Sequence, residues 1–206
     1  MKLTIKAAIL GMAIALASAA QAQEITLKVS HFWAPGAMAP IKVIGPWCDK
    51  INKESGGKLK CQIFPAMQLG GTPAQLFDQA KDGVADIVYT LPGYTAGRFP
   101  LMEAFELPFM NLNAEASSQA VWEYYLTTPA VQKEFAGVKP LMFHTHDEGY
   151  VHTRDKQIKT LADFKGLKMR APTRQTNKLL SKLGATPVSM PLPAIPDAIS
   201  KGVIDG

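Results

Sequence analysis

The 206-residue chain has two cysteines, four histidines and only 8% aromatic residues. Two cysteines cannot make a disulfide framework, so the fold must rest on an apolar core. The 47% apolar content is enough for one. The sequence has no G-x-S-x-G elbow, no H-E-x-x-H and no G-x-x-x-x-G-K-[ST] loop, so three common routes to hydrolysis and phosphoryl transfer are absent. Acidic residues are dispersed, and no pair stands out as a general acid and base. Basic residues are scattered without a dense run, which speaks against a nucleic-acid footprint. After the first 20 residues no apolar run approaches the roughly 20 residues of a membrane span.

The N-terminus differs from the rest. Lys2 and Lys6 precede the apolar run Ala7–Ala20, and Ala20-Gln21-Ala22 offers small residues at the −3 and −1 positions of a cleavage site. This reads as a secretory signal peptide over residues 1–22, with an exported product that is not inserted in a membrane. Losing Lys2 and Lys6 takes the formal charge from +5 down by two, to +3. Cys48 and Cys61 suit an oxidising compartment, where a bond between them would stabilise by about 3 kcal/mol on the chain-entropy model.

The remainder alternates strands and helices. Strands are predicted at Ile25–Ser30, Lys58–Ile63 and Val84–Tyr89. Helices fall between them, over about Ala39–Lys53 and from Pro73 to Lys81, the second opened by Thr72 as N-cap. Helical patterns follow at Ala114–Leu126 and Ala130–Phe135, then a strand at about Lys139–Phe143. His144–Arg154 carries the chain onward as a crossing segment. The order then repeats: strand Gly166–Arg170, helix Thr173–Leu183, strand Thr186–Met190 and a short helix from Pro196 to Lys201. Such alternation indicates βαβ units and a mainly parallel sheet. Residues 78–86 (DQAKDGVAD) align without gaps to 197–205 (DAISKGVID), and Leu27-Lys28-Val29 matches Leu167-Lys168-Met169. Two like-built α/β lobes are expected: residues 23–147, and 148–206 with the crossing strand. A ligand cleft is expected between them. Gly206 falls where the second copy's third strand should begin, so the second lobe reads as incomplete and the chain as a fragment of a longer protein.

Arg170 is the most telling residue. It closes a strand just before Ala171-Pro172 and a helix. Ligands of open α/β sheets bind at the carboxyl ends of strands. A guanidinium there matches a carboxylate with two parallel hydrogen bonds. Phe32 and Trp33 after the first strand, and Tyr94 after the third, are candidates to stack on a planar or apolar ligand body. His31 is a weaker candidate in the same loop. His144, His146 and His152 raise the question of a metal site, but their spacing matches no established one.

Several separate motifs together resemble one family. They are LKVSHFW (27–33), GGKLKCQIFPAMQLGG (56–71), DGVADI (82–87), LADFKGLKMRAP (161–172), LGATPVSMP (183–191) and KGVIDG (201–206). They are similar to solute receptors of tripartite ATP-independent periplasmic (TRAP) transporters, the DctP-like proteins, and cover the mature chain in order. The resemblance implies a two-lobed periplasmic binding-protein fold that closes around an organic acid. It further implies delivery to TRAP permease membrane subunits driven by an ion gradient, with no cofactor and no catalysis. It makes Arg170 the ligand anchor. Receptors for acidic sugars in this family carry a second arginine where this chain has Tyr150, and a phenylalanine where it has Leu192. Those departures favour a carboxylate with a less polar body, and Trp33 and Tyr94 suit an aromatic one. The rival readings are an exported α/β enzyme acting on a small carboxylate, and a receptor of the same fold that reports to a signalling partner.

Overall fold

The computed structural model describes residues 24–206; the signal-peptide reading lies outside them. Strand β1 (Ile25–His31) runs through the middle of a three-stranded parallel sheet. It pairs with β2 (Leu59–Phe64) on one side and β3 (Ile87–Tyr89) on the other. Helix α1 (Gly45–Glu54) joins β1 to β2, and α2 (Leu76–Lys81) joins β2 to β3. Val29 turns toward Ile44 and Cys48 on the α1 side. Ser30, its neighbour on the opposite face, turns to Gln79 of α2 (3.4 Å). Cys48 and Cys61 are disulfide-bonded, tying α1 to β2 with Cα atoms 5.7 Å apart.

Two local departures from the sequence reading have clear causes. The first helix opens as a wide π turn at Pro40–Ile44 before becoming α-helical. Pro46 has no N–H to donate and its ring crowds the carbonyl four residues back, so the turn before it widens and Pro46 falls in the first turn of the α-helical part. The strand expected at Lys139–Phe143, and the crossing strand after it, form no ladder among the described residues. The segment joins neither outer edge of the sheet, on β2 or on β3. Phe143 instead packs on the aromatic cluster of Phe77, Phe99, Tyr125 and Phe135, built by α2, α3 (Ala114–Thr127) and α4 (Pro129–Glu134).

The second lobe carries β4 (Lys168–Ala171) and β5 (Thr186–Ser189), again parallel. They are joined by α5 (Arg174–Lys182) and followed by α6 (Ile195–Ser200). Met169, Ala171, Leu180 and Phe164 form its core.

The repeat seen in the sequence is a repeat of hydrogen bonds. The Lys28 amide donates to Asp86 Oδ2 (2.8 Å) while the Asp86 amide donates to Lys28 O (3.0 Å). The Lys168 amide donates to Asp205 Oδ2 (2.7 Å) while the Asp205 amide donates to Lys168 O (2.7 Å). Gly83 and Gly202 hold the preceding turns at φ +74° and +67°, a region where a Cβ is strained. The Arg170 amide donates to Gly206 O (2.8 Å), so Gly206 stands beside β4 where Ile87 stands beside β1.

Candidate functional site

β1 and β3 run parallel in the first lobe and β4 and β5 in the second, so their carboxyl ends share an edge within each lobe, and each end feeds a loop that carries a candidate side chain. Arg170 projects from the end of β4. Its Nε–H donates to Met190 O (3.0 Å) just past β5, which fixes the plane of the guanidinium. The Tyr94 hydroxyl lies beside it. Burial pulls the Arg170 guanidinium below its usual value, and Tyr94 acts against that pull. Among the described residues no carboxylate forms an ion pair with Arg170. A half-buried cation without a counter-charge is an open position for an anion.

Tyr94 is the joint between the lobes. It lies in a single 3-10 turn (Pro92–Tyr94) after β3, and its hydroxyl accepts the Leu192 amide of the second lobe (3.0 Å). Its ring meets Phe32 edge-on at 5.3 Å. Phe32 lies 4.6 Å from Trp33, and Trp33 meets Tyr89 edge-on at 6.3 Å. Arg170, Tyr94, Leu192, Phe32 and Trp33 are therefore contiguous. Phe32 is 3% exposed and forms the floor of this patch, while Trp33 and Leu192 retain exposed surface. The Trp33 indole N–H is buried without a protein acceptor. His31 is wholly buried below the patch, and burial holds its imidazole below the ordinary value. Tyr150 stands apart: it is 74% exposed and its hydroxyl donates to Glu148 (3.1 Å).

A cavity of about 300 Å³ opens between the lobes next to this patch. Gly93, Tyr94 and Ala96 line it from the first lobe; Thr173, Asn177 and Ser189 are among its second-lobe residues. Thr173 caps α5 by accepting the Thr176 amide (3.3 Å).

Residues 29–206 match the model of the family described as bacterial extracellular solute-binding protein, family 7, DctP. The chain belongs to that family. Among solved DctP-type receptors, a TRAP solute-binding protein from Rhodoferax ferrireducens that copurified with benzoate is 59% identical with a TM-score of 0.86. The match covers 88% of this chain and 56% of that one. A marine-metagenome TRAP receptor for aromatic acids, crystallised with 3-hydroxybenzoate, is 52% identical, also with a TM-score of 0.86, over 89% of this chain and 57% of its own. The Comamonas testosteroni protein named outer membrane transporter protein TsaT is 28% identical over 86% of this chain and 52% of its own length. The chain thus spans about half the length of these DctP relatives. The likeness shows the two-lobed α/β receptor fold, and the family is one of transport receptors.

Some members of this site were not singled out in the sequence. The Met190 carbonyl acts through the backbone, which leaves no sequence signal. Tyr89, from β3, bonds through its hydroxyl to His144 Nε2 of the crossing segment. Burial raises the Tyr89 phenol above its usual value. His146 Nδ1 donates to Asp147 O (2.6 Å). No group of three or more metal-ligating side chains occurs among the described residues. No helix there is long and apolar enough to cross a membrane.

Proposed function

We propose that this chain is the ligand-capturing part of an exported receptor for a small aromatic carboxylate, which hands its ligand to an ion-gradient-driven TRAP permease. Arg170 anchors the carboxylate. Trp33 and Tyr94 form the walls around the planar body over the Phe32 floor, and Leu192 supplies apolar surface where an acidic-sugar receptor has a phenylalanine. Tyr150 comes into reach only as the lobes rearrange around a ligand. The leader is removed after Ala22 and the receptor works in the periplasm, with no cofactor, no nucleic-acid partner and no turnover of its ligand.

The observation that carries this reading is Arg170: half-buried, oriented by Met190 O, facing Tyr94 and without a carboxylate partner. The benzoate and 3-hydroxybenzoate bound by receptors 59% and 52% identical support the aromatic class. Calorimetry on the full-length receptor tests it, with benzoate, 3-hydroxybenzoate, an aliphatic acid and an acidic sugar. The aromatic acids are expected to bind more tightly than the others. Arg170→Ala removes two charge-assisted hydrogen bonds of about 1.5–3 kcal/mol each and should weaken benzoate binding by about 100-fold or more. Unchanged affinity in the variant would overturn the anchor role.

A further inference from the structure

Behind the aromatic patch, on the far side of Gly93, the lobes are joined by a second polar contact. Glu103 lies in the 3-10 segment Met102–Glu106 of the first lobe and is 5% exposed. Its Oε2 accepts from Arg174 Nε (3.1 Å), Arg174 Nη2 (2.6 Å) and Gln175 Nε2 (2.6 Å), the first two residues of α5. Its Oε1 accepts the Gly97 amide (3.2 Å). Gly93 fills the space between Glu106 and Thr173: a Cβ there would collide with Glu106 Oε1 and with the Thr173 methyl. Two turns of the first lobe therefore close directly on the N-terminus of α5. The chain between that N-terminus and Arg170 is only Ala171-Pro172-Thr173.

We infer that Glu103, with Arg174 and Gln175, is a positioning latch between the lobes: it seats the β4–α5 corner so that Arg170 faces Tyr94, and it slows release of the bound carboxylate. The inference rests on the receptor reading above for its ligand, though not for the latch contact itself. A buried carboxylate that loses its cation is left charged and unpaired, so separating these groups is costly. Contacts made in only one arrangement of two lobes shift the population toward that arrangement. Arg174 is 43% exposed at its side chain, so it can leave Glu103 for water when the lobes part, while Glu103 stays anchored by the Gly97 amide. Arg174 also lines the inter-lobe cavity beside the patch whereas Glu103 does not, so Glu103→Gln breaks the latch from outside the cavity and leaves the Arg170, Trp33 and Tyr94 side chains chemically intact.

The test uses the full-length receptor and benzoate, with intrinsic fluorescence in stopped flow. Truncating one partner of a buried charged pair acts mainly on dissociation, so Arg174→Gln and Glu103→Gln are expected to raise the benzoate off-rate about tenfold with association within about twofold of wild type. Arg174→Lys, which keeps the charge and loses the two-pronged fit, should recover part of the difference. Off-rates equal to wild type in all three variants overturn the latch, since the contact would then persist in both lobe arrangements. A second arm needs no ligand. Amide hydrogen exchange of the ligand-free protein should speed up over residues 170–177 in Arg174→Gln while residues 59–64 of β2 stay protected. Unchanged exchange over 170–177 overturns the latch. Failure of wild type to bind benzoate while that exchange arm succeeds refutes the ligand class alone.

Discussion

Glu103 and Glu106 share one 3-10 turn and are pushed in opposite directions. Burial pushes the Glu103 carboxyl up, but bonds from Arg174, Gln175 and the Gly97 amide outweigh it and hold the group below its usual value of 4.5. Glu106 has burial as its largest influence and is raised above 4.5, with only a partial offset from Thr173. One Glu106 oxygen is buried with no partner. The signs follow by linkage. Glu103, depressed in the folded state, contributes stability that is present above its unfolded value and lost as pH falls through its folded value. Glu106, raised in the folded state, contributes stability that is present below its unfolded value and lost as pH rises through its folded value. Glu106→Gln should therefore raise the thermal midpoint more at about pH 7 than at about pH 4, because only the wild-type group loses stability as pH rises. Calorimetric midpoints at the two pH values check this; an equal shift at both would mean that packing, not ionisation, sets the effect.

Among the elements, most boundaries were legible from local signals. Thr72 and Pro73 mark the entry to α2, where the Gln75 side chain accepts the Thr72 amide (2.8 Å). Thr173 marks the entry to α5, and glycines end α2, α5 and α6. These signals act over three or four residues, so they are written in adjacent positions. The strand expected at Lys139–Phe143 has the right composition yet forms no ladder; Phe143 packs on the aromatic cluster instead, a contact with distant residues that composition does not record. The bond between Cys48 and Cys61 belongs to this scale, as it staples α1 to β2 across a sequence separation of 13. Reducing it should lower stability by about 3 kcal/mol. Intact mass after alkylation of exported, unreduced protein should show both thiols blocked, and urea unfolding with and without reductant should show the loss. Two alkylated thiols in the unreduced protein would refute the staple.

At the scale of the molecule, the two lobes share a construction and differ in chemistry. Ser30 occupies in β1 the place that Arg170 holds in β4, and it is uncharged and buried against Gln79. One lobe therefore supplies the cation and the other the aromatic surface. A ligand that needs both lobes stabilises the molecule as a whole. For the full-length receptor, benzoate at about 100 times its dissociation constant should add about 2.7 kcal/mol to unfolding stability. A thermal shift of matching size is expected in wild type and should vanish in Arg170→Ala. A shift that survives in the variant would place the bound acid elsewhere.

Strand and helix order, the doubled lobe plan, the cap residues and an arginine at a strand's end follow from residue spacing, because hydrophobic period and hydrogen bonds within a turn depend on near neighbours. The family motifs sit on these same corners, so the receptor class was legible with them. The site itself depends on contacts between distant residues. Tyr94 meets Leu192 across 98 positions and Glu103 meets Arg174 across 71, while Tyr150, in the segment between the lobes, is left in solvent. No local pattern encodes those pairings. They arise only when the two lobes present their loop ends to one another, and that meeting sets Tyr94 beside an Arg170 already oriented by Met190 O within its own lobe.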